Sequence, residues 1–537
     1  MSSGGRVEKM QKNIAWGTFS RIVVMIYSFV SRTFFIQYLG VSNNGINGLF
    51  TNILTVLSFA ELGIGTAMNF SLYKLVADND IPKIKAYMAF YKKAYRIIAG
   101  VIAVIGLVIM PFIPMMLTPE EITNAGGNIY IIYGLYLFNT VTSYFVSYKY
   151  SLSNAEQKNY IFTNINLVFN LICQTGQLIM LIVTKNFICY CCVGAVVQLL
   201  QNLTTNWYMN KLYPFLKEKD AEKLSKEELA PIIKNVKALI ITKIGSICIN
   251  QTDNIIISMV INVTTVGMID NYNTLLNNVN GFVNVVMNSQ TASFGNLIAS
   301  EGKEKQYRMF KNFRFLIFWM FGFVAIACFT LMTPFIVIWL GVDKTTATIT
   351  IFLILINYYM NGHRNCIYNV KVAGGIFEQD KWLSFACAIV NLVTSVLFAK
   401  ICGLPGVYIG TLLTGLLQTL VRPRIVYRDL FGVESWKYYR DGIKYLFTVL
   451  AVGAVCYGMQ QLLLPAHVLA TVSGASMLTR AKMIGGRFLI LGVFAAVVPN
   501  VVFYLLYHKK EEFIYLKTIM GRVFKKITGK FLGKSAE

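Results

Sequence analysis

Among the ionisable side chains inside stretches that are otherwise apolar enough to cross a bilayer, five stand out. They are Arg21, Arg32 and Glu61 near the start of the 537-residue chain, and Lys243 and Asp253 near its middle. A charge at mid-bilayer costs at least ~2.5–3.5 kcal/mol even on the lenient insertion scale, so such groups face a cavity or one another rather than lipid. Arg21 and Arg32 are 11 residues apart. At 100° per residue they project within about 20° of one direction, roughly 16 Å apart along one helix. Glu61 falls at a depth between them on the second stretch, and Lys243 and Asp253 take corresponding depths on the seventh. Two readings are open. In the structural one, Arg32 with Glu61, or Lys243 with Asp253, is an ion pair that pins helices; buried pairs are weak evidence of stability, because desolvation offsets attraction. In the chemical one, three cations against two carboxylates leave a positive surplus that an anion completes, and Glu61 and Asp253 are candidates for coupling to H⁺ or Na⁺.

Neutral polar residues outline the cavity. Asn273, Asn277, Asn280, Asn284, Asn288 and Thr291 follow helical spacing and fall within about 80° of one another around the eighth stretch. Thr163, Asn166, Asn170, Gln174 and Gln177 do the same on the fifth. A single intramembrane Asn is usually interhelical glue. Two continuous amide stripes need many hydrogen-bond partners that lipid cannot supply, so they point to a water-filled lumen whose amides exchange hydrogen bonds with hydroxyl-rich cargo. In the tenth stretch His363 and Arg364, within NGHRN, add positive charge near the inner mouth, as does Arg422 at the end of the twelfth. Arg364 is assigned to the lumen, Arg422 to anchoring at the membrane surface, and His363 to a local contact.

Fourteen apolar stretches must position these groups, at about 13–38, 46–72, 94–117, 128–150, 160–184, 187–210, 236–261, 266–298, 312–340, 346–370, 381–400, 405–427, 443–464 and 484–507. Each approaches or exceeds the ~20 residues that span ~30 Å of hydrocarbon. Of 49 Lys and Arg, only Lys185, Lys344, Lys400, Arg480 and Lys482 fall on the connections after odd-numbered stretches. Such alternation is the positive-inside pattern of a multi-pass protein with both termini in the cytoplasm. The expected fold is therefore an all-α polytopic membrane protein of about 14 transmembrane helices. The basic excess, a net charge of +24, sits beside the spans and points to anionic lipid rather than nucleic acid. The charged segment Leu212–Pro231 divides the chain. A constant shift of 222 residues places Lys12–Asn13 on Lys234–Asn235, Arg21 on Lys243 and Gly45 on Gly267, which suggests a parallel repeat. The expected organisation is an N-terminal six-helix lobe (1–211), a cytoplasmic linker (212–235), a second six-helix lobe (236–430) around a shared central cavity, two additional helices (431–508), and a basic tail (509–537), read either as an interfacial helix or as a disordered polar end.

The same segments carry a family resemblance. RTFFIQYLG at 32–40, ELGIGTAMNFSLY at 61–73, QTDNIIIS at 251–258, TASFGNLIASEGKEK at 291–305 and TPFIVIWLG at 333–341 resemble Wzx-type polysaccharide flippases of the multidrug/oligosaccharidyl-lipid/polysaccharide exporter superfamily, over roughly residues 10–430. Arg32 matches the family's first-helix RT motif and Asp253 its seventh-helix TD motif. The resemblance implies two six-helix lobes working by alternating access, and a cargo of oligosaccharide repeat units on polyprenyl pyrophosphate carried to the outer leaflet of a bacterial cell membrane, where a polysaccharide polymerase would consume them. The pyrophosphate would meet Arg21, Lys243 and Arg364, with Arg32 on the same arginine face, while the amide stripes accept the glycan. It covers neither the last two helices nor the outside loop Pro465–Lys482.

Three rivals differ in chemistry. A multidrug antiporter of the same superfamily calls for a cavity acidic and aromatic overall. A flippase of peptidoglycan precursor shares the cationic lumen and two extra spans. A membrane glycosyltransferase usually needs acidic or metal-binding residues on an outer loop, and Pro465–Lys482 contains His467 but no Asp or Glu. No G-x-x-x-x-G-K-[ST] loop is present, which argues against ATP hydrolysis. The expectation is a transporter, not an enzyme, with no cofactor.

Overall fold

The computed structural model describes residues 3–58, 72, 75–76, 78–156, 158–218, 224–225, 227–230, 233, 252–374, 376, 381–518 and 521; at 3–23, 154, 159–160, 285–286, 288–300, 372–373 and 381 only the backbone is described. The protein is all-α and polytopic. Ten helices among the described residues are long and apolar enough to cross a membrane. The stretches expected at 266–298 and 346–370 are also long helices, Val263–Ser300 and Thr348–Ala373, made less apolar by their Asn and charged residues.

The described residues form two compact units, Met1–Asp270 and Asn271–Glu537. The division falls within a continuous helix, C-terminal to the 212–235 linker segment.

In the first unit, helix α1 (Ser3–Leu57) is broken at Gly40, whose φ of 82° lies in the left-handed region that side chains disfavour. The outside connection expected between 38 and 46 is thus one residue, and the second helical segment begins at Val41. Helix α2 (Ile81–Ile109) starts at Asp80, whose carboxylate caps it, and runs into the 3₁₀ turn Met110–Met116. Then come α3 (Pro119–Asn124), α4 (Ile129–Ala155), α5 (Asn159–Thr184), α6 (Phe187–Leu212) and α7 (Asp253–Val260). Helix α5 shows how the chain is sorted by solvent. Val168, Ile172, Ile179 and Val183 are exposed along one face, as a lipid-facing surface requires. Asn166, Asn170, Gln174 and Gln177 occupy the opposite one.

Helix α8 (Val263–Ser300) crosses from the first unit to the second. The second unit continues with α9 (Lys303–Trp339), α10 (Thr348–Ala373), α11 (Lys381–Cys402), α12 (Leu404–Val426), α13 (Trp436–Leu463), the short α14 (Ala466–Ala470) and α15 (Met477–Tyr507). Helices α11 and α12 meet backbone to backbone at Gly406 and Gly410: a methyl group on either would lie 1.9 Å from the Phe398 carbonyl oxygen or 2.5 Å from the Ser395 nitrogen. This small-xxx-small spacing is what lets membrane helices pack without side chains between them.

The final two helices and the Pro465–Lys482 loop are built into this unit. Leu469 and Val472 of the loop pack with Val337 of α9 and Ile484 and Leu491 of α15. Arg480 then reaches the end of α9, where Nε donates to the Ile338 carbonyl at 3.0 Å and Nη2 to the Trp339 carbonyl at 3.1 Å. These are among the carbonyls a helix C-terminus leaves unsatisfied, and a cation there also meets the negative end of the helix dipole. Arg480→Ala is expected to cost about 1.5–3 kcal/mol, read as a Tm lowered by several degrees in detergent with Arg480→Lys intermediate; an unchanged Tm would dismiss the cap. The first part of the tail is ordered against α9. Residues 511–518 are helical and dock on α9 through a Lys311–Glu512 ion pair at 3.7 Å and stacking of Phe513 on Trp319.

Candidate functional site

A cavity of about 560 Å³ opens in the first unit between α1, α5 and α6. Its walls are polar to a degree unusual within membrane helices. From α5 come Asn166, Asn170, Gln174 and Gln177; from α6, Gln198 and Gln201; from α1, Ser31, Arg32, Asn44 and Asn47. Phe35 and Tyr190, edge to face at 5.0 Å, form an aromatic flank.

The amides are partly satisfied among themselves. Gln201 Nε2 donates to Asn166 Oδ1, Gln174 Nε2 to Asn170 Oδ1, and Gln177 Nε2 to the Tyr190 carbonyl at 3.4 Å. Gln174 Oε1 is buried with no partner among the described residues. An acceptor held this way fits a hydroxyl donor.

Arg32 stands in this wall. Its Nη2 makes an ion pair with Asp270 Oδ2 at 2.5 Å and its Nη1 donates to the Asp270 carbonyl at 2.9 Å. Asp270 was not singled out from sequence, and it changes the charge count: with it, three carboxylates stand against Arg21, Arg32 and Lys243, so the surplus inferred from those three cations disappears. What signals Asp270 in the sequence is a carboxylate in the apolar start of α8; what hides its role is the 238-residue separation from Arg32.

Beside the cavity, a set of backbone-level contacts closes one end of the unit. After the break at Gly40, the second segment of α1 crosses α8 at two glycines. A methyl on Gly45 would lie 1.9 Å from the Val263 carbonyl oxygen, and one on Gly267 would lie 2.2 Å from that of Val41. Asn44 Nδ2 donates to the Gly267 carbonyl at 3.0 Å, and Asn43 Nδ2 to the Asn124 carbonyl at 3.0 Å. The buried carboxylate of Glu121 caps two helices: Oε2 accepts from the Thr118 nitrogen at 2.9 Å at the start of α3, and Oε1 from Thr264 nitrogen and hydroxyl, each at 2.9 Å, in the first turn of α8. Ser258 of α7 donates to the Met116 carbonyl at 2.6 Å. Segments from five parts of the sequence are thereby latched.

The remaining sequence candidates fall elsewhere. The side chains of Arg21, Glu61 and Lys243 lie outside the described residues. Asp253, half-buried, stands in the first turn of α7. Asn273, Asn277, Asn280 and Asn284 lie on the second-unit part of α8, with Asn277 and Asn284 exposed, while Asn288 and Thr291 are outside the described side chains. Arg364 is 8% exposed on α10; Nη2 donates to Asn361 at 3.4 Å, Nη1 has no partner, and Gly415 of α12 leaves the room its guanidinium fills. Arg422 is buried too, against Gln418 and Ser384. Thr163, first of the α5 stripe, does not line the cavity. Asn44, Asn47, Gln198 and Gln201 do, and were missed: two amides three residues apart on α6 are too short a pattern to read as a stripe, Asn44 sits where a loop was expected, and Asn47 at the very start of the second stretch.

No protein-family model matches the sequence, and no curated protein matches it in sequence. Solved structures do match in shape. One described as the lipid II flippase MurJ in an inward closed conformation superposes with a TM-score of 0.57 at 11% identity, covering 91% of this chain and 98% of its own. An inward-facing multidrug resistance MATE family transporter of the MOP superfamily superposes with a TM-score of 0.57 at 13% identity, covering 75% of this chain and 96% of its own. At such identities the likeness is one of fold: this chain is folded like these two membrane proteins.

Proposed function

We propose that the protein is a flippase that carries polyprenyl-pyrophosphate-linked oligosaccharide units from the inner to the outer leaflet of a bacterial cytoplasmic membrane, with both termini cytoplasmic, for surface or capsular polysaccharide synthesis. The observation that carries the reading is the amide-lined cavity of about 560 Å³ in the first unit. Apolar or cationic drugs have no use for six carboxamides from two helices, whereas a glycan presents hydroxyls as donor and acceptor to each of them. The coverage of the matches favours the same side. The flippase structure spans 91% of this chain, whereas the MATE transporter leaves a quarter unmatched.

In this reading the glycan exchanges hydrogen bonds with Asn166, Asn170 and Gln174 and, in the second unit, with the Asn273–Asn284 stripe. The pyrophosphate meets Arg21, Lys243 and Arg364, and Arg32 when its bond to Asp270 opens. The latch around Gly45, Gly267 and Glu121 is the outer gate, and alternating exposure of the cavity moves the head group while the polyprenyl tail stays in hydrocarbon. Glu61 and Asp253 remain the proposed sites of H⁺ or Na⁺ coupling, and a polysaccharide polymerase the proposed consumer.

Proteoliposomes loaded with a fluorescent polyprenyl-pyrophosphate oligosaccharide test this. Gln174→Leu is expected to slow flipping by about tenfold, one to two lost hydrogen bonds, and the pair Arg21→Ala and Lys243→Ala to slow it further. Unimpaired flux in all three variants removes the mechanism. The peptidoglycan-precursor reading is separated by deletion: loss of surface polysaccharide with continued growth supports the proposal, and arrest of growth overturns it.

A further inference from the structure

The second unit contains a cavity of a different kind. Arg314, near the start of α9, is 4% exposed. Its Nη2 donates to the Tyr438 carbonyl at 2.5 Å, and the guanidinium lies 3.7 Å over the Tyr438 ring and 5.8 Å from that of Tyr445. Its Nε has no hydrogen-bond partner, and it joins no ion pair among the described residues. Two further buried groups stand with it. His363 of α10 is 8% exposed with neither ring nitrogen partnered among the described residues, and the hydroxyl of Tyr359, one turn earlier, is buried and unpartnered among them as well.

All three line one cavity of about 520 Å³, within the ~300–1,000 Å³ of small-molecule sites. The other walls are mostly apolar, with Met360 of α10, Leu416 and Leu420 of α12, and Trp436, Ile443 and Leu446 of α13, and they also carry Thr419 and Arg424 of α12 and Ser435 before α13. Gly442 completes the seat of the guanidinium, since a methyl there would lie 2.9 Å from Arg314 Nη2.

An aromatic cage explains why Arg314 tolerates burial. It does not explain why three neighbouring residues on the wall of one cavity all carry a buried polar atom with no partner among the described residues, where buried polar groups are generally paired. Their donor character and the two guanidinium groups on the wall, Arg314 and Arg424, select an anion. The apolar remainder of the cavity rejects a small hydrated ion as its whole occupant. Both demands are met by an amphiphile with a phosphate head and an alkyl chain.

We propose that this cavity binds the phosphate head of an anionic phospholipid of the surrounding bilayer, with Arg314 as principal partner, Tyr359 and His363 as donors, and the acyl chain along Leu416, Ile443 and Leu446. The site is separate from the cavity of the first unit and does not depend on what that cavity carries.

The test uses the purified full chain in a neutral detergent, with thermal unfolding followed during titration of dodecyl phosphate, inorganic phosphate or dodecanol. Dodecyl phosphate alone is expected to raise Tm, saturably. In Arg314→Gln the midpoint of that titration is expected to move at least about tenfold higher, the weight of a charge-assisted hydrogen bond. Leu446→Trp, which fills the apolar wall and leaves the Arg314–Tyr438 bond in place, is expected to abolish the shift, and it decides the matter if Arg314→Gln does not fold. An equal rise with inorganic phosphate would show a free-phosphate site and overturn the lipid assignment. An equal rise with dodecanol, an unaltered response in Leu446→Trp, or no rise with any probe would overturn the site itself.

Discussion

Replacing Gly45 by leucine is expected to reduce transport by at least about a hundredfold. The size follows from geometry: the first carbon of any side chain at this position would stand 1.9 Å from the Val263 carbonyl oxygen, and a backbone cannot turn aside as a flexible side chain can. The latch of α1 on α8 then cannot close as it does here, and a carrier unable to reach one of its two closed states does not turn over. Asn44, 1% exposed beneath the crossing, offers a direct readout. With Cys192 and Cys402, the exposed cysteines among the described residues, and Cys248 removed, Asn44→Cys should resist a membrane-impermeant thiol reagent in the otherwise native chain and react once Gly45→Leu is added. Normal flux with a protected Asn44→Cys would show that the two helices can be held apart without consequence. Gly267→Leu is expected to behave in the same way from the other side of the crossing.

The second large effect is expected at Arg32 and Asp270. Both side chains are mostly buried. Removing one partner strands a charge in a low-dielectric setting, which costs about 3–5 kcal/mol, whereas removing both costs far less. Arg32→Ala and Asp270→Ala are therefore each expected to lower the Tm and the flux markedly, and the double variant to regain most of the thermal stability. Flux separates the two roles the pair could have. If the guanidinium serves only to hold α1 to α8, the double variant recovers transport along with stability. If Arg32 leaves Asp270 to meet the anionic head group, the double variant is stable and still flips at under about one-tenth of the native rate, the weight of a charge-assisted hydrogen bond. The deviation from additivity gives the coupling between the residues.

How legible the molecule is from its sequence depends on the range over which a residue acts. The α5 stripe is legible because a helix converts spacings of 3 and 4 into one direction: Asn166, Asn170, Gln174 and Gln177 all reach the same cavity. The all-α, membrane-spanning character is legible for the same local reason, since apolar runs and alternating basic connections need no knowledge of tertiary contacts. Asp270 is not, because a carboxylate's meaning is set by the cation beside it, here far away in the chain. Arg314 was absorbed among basic residues at a helix start, and only packing shows it enclosed by Tyr438 and Tyr445. Gly45 and Gly267 are an intermediate case. Their alignment under the 222-residue shift is visible in sequence, but the reason for glycine at both positions, two backbones touching with no room for a carbon between them, is not.

The break at Gly40 has a mechanical corollary. A joint of one residue has no slack: rotation of the arm bearing Arg32 must reappear as displacement of the arm bearing Asn43, Asn44 and Gly45, much as a crank transmits torque through its elbow. Lengthening that elbow by two or three flexible residues would introduce backlash, and cargo could then arrive at the chamber without the far door registering it.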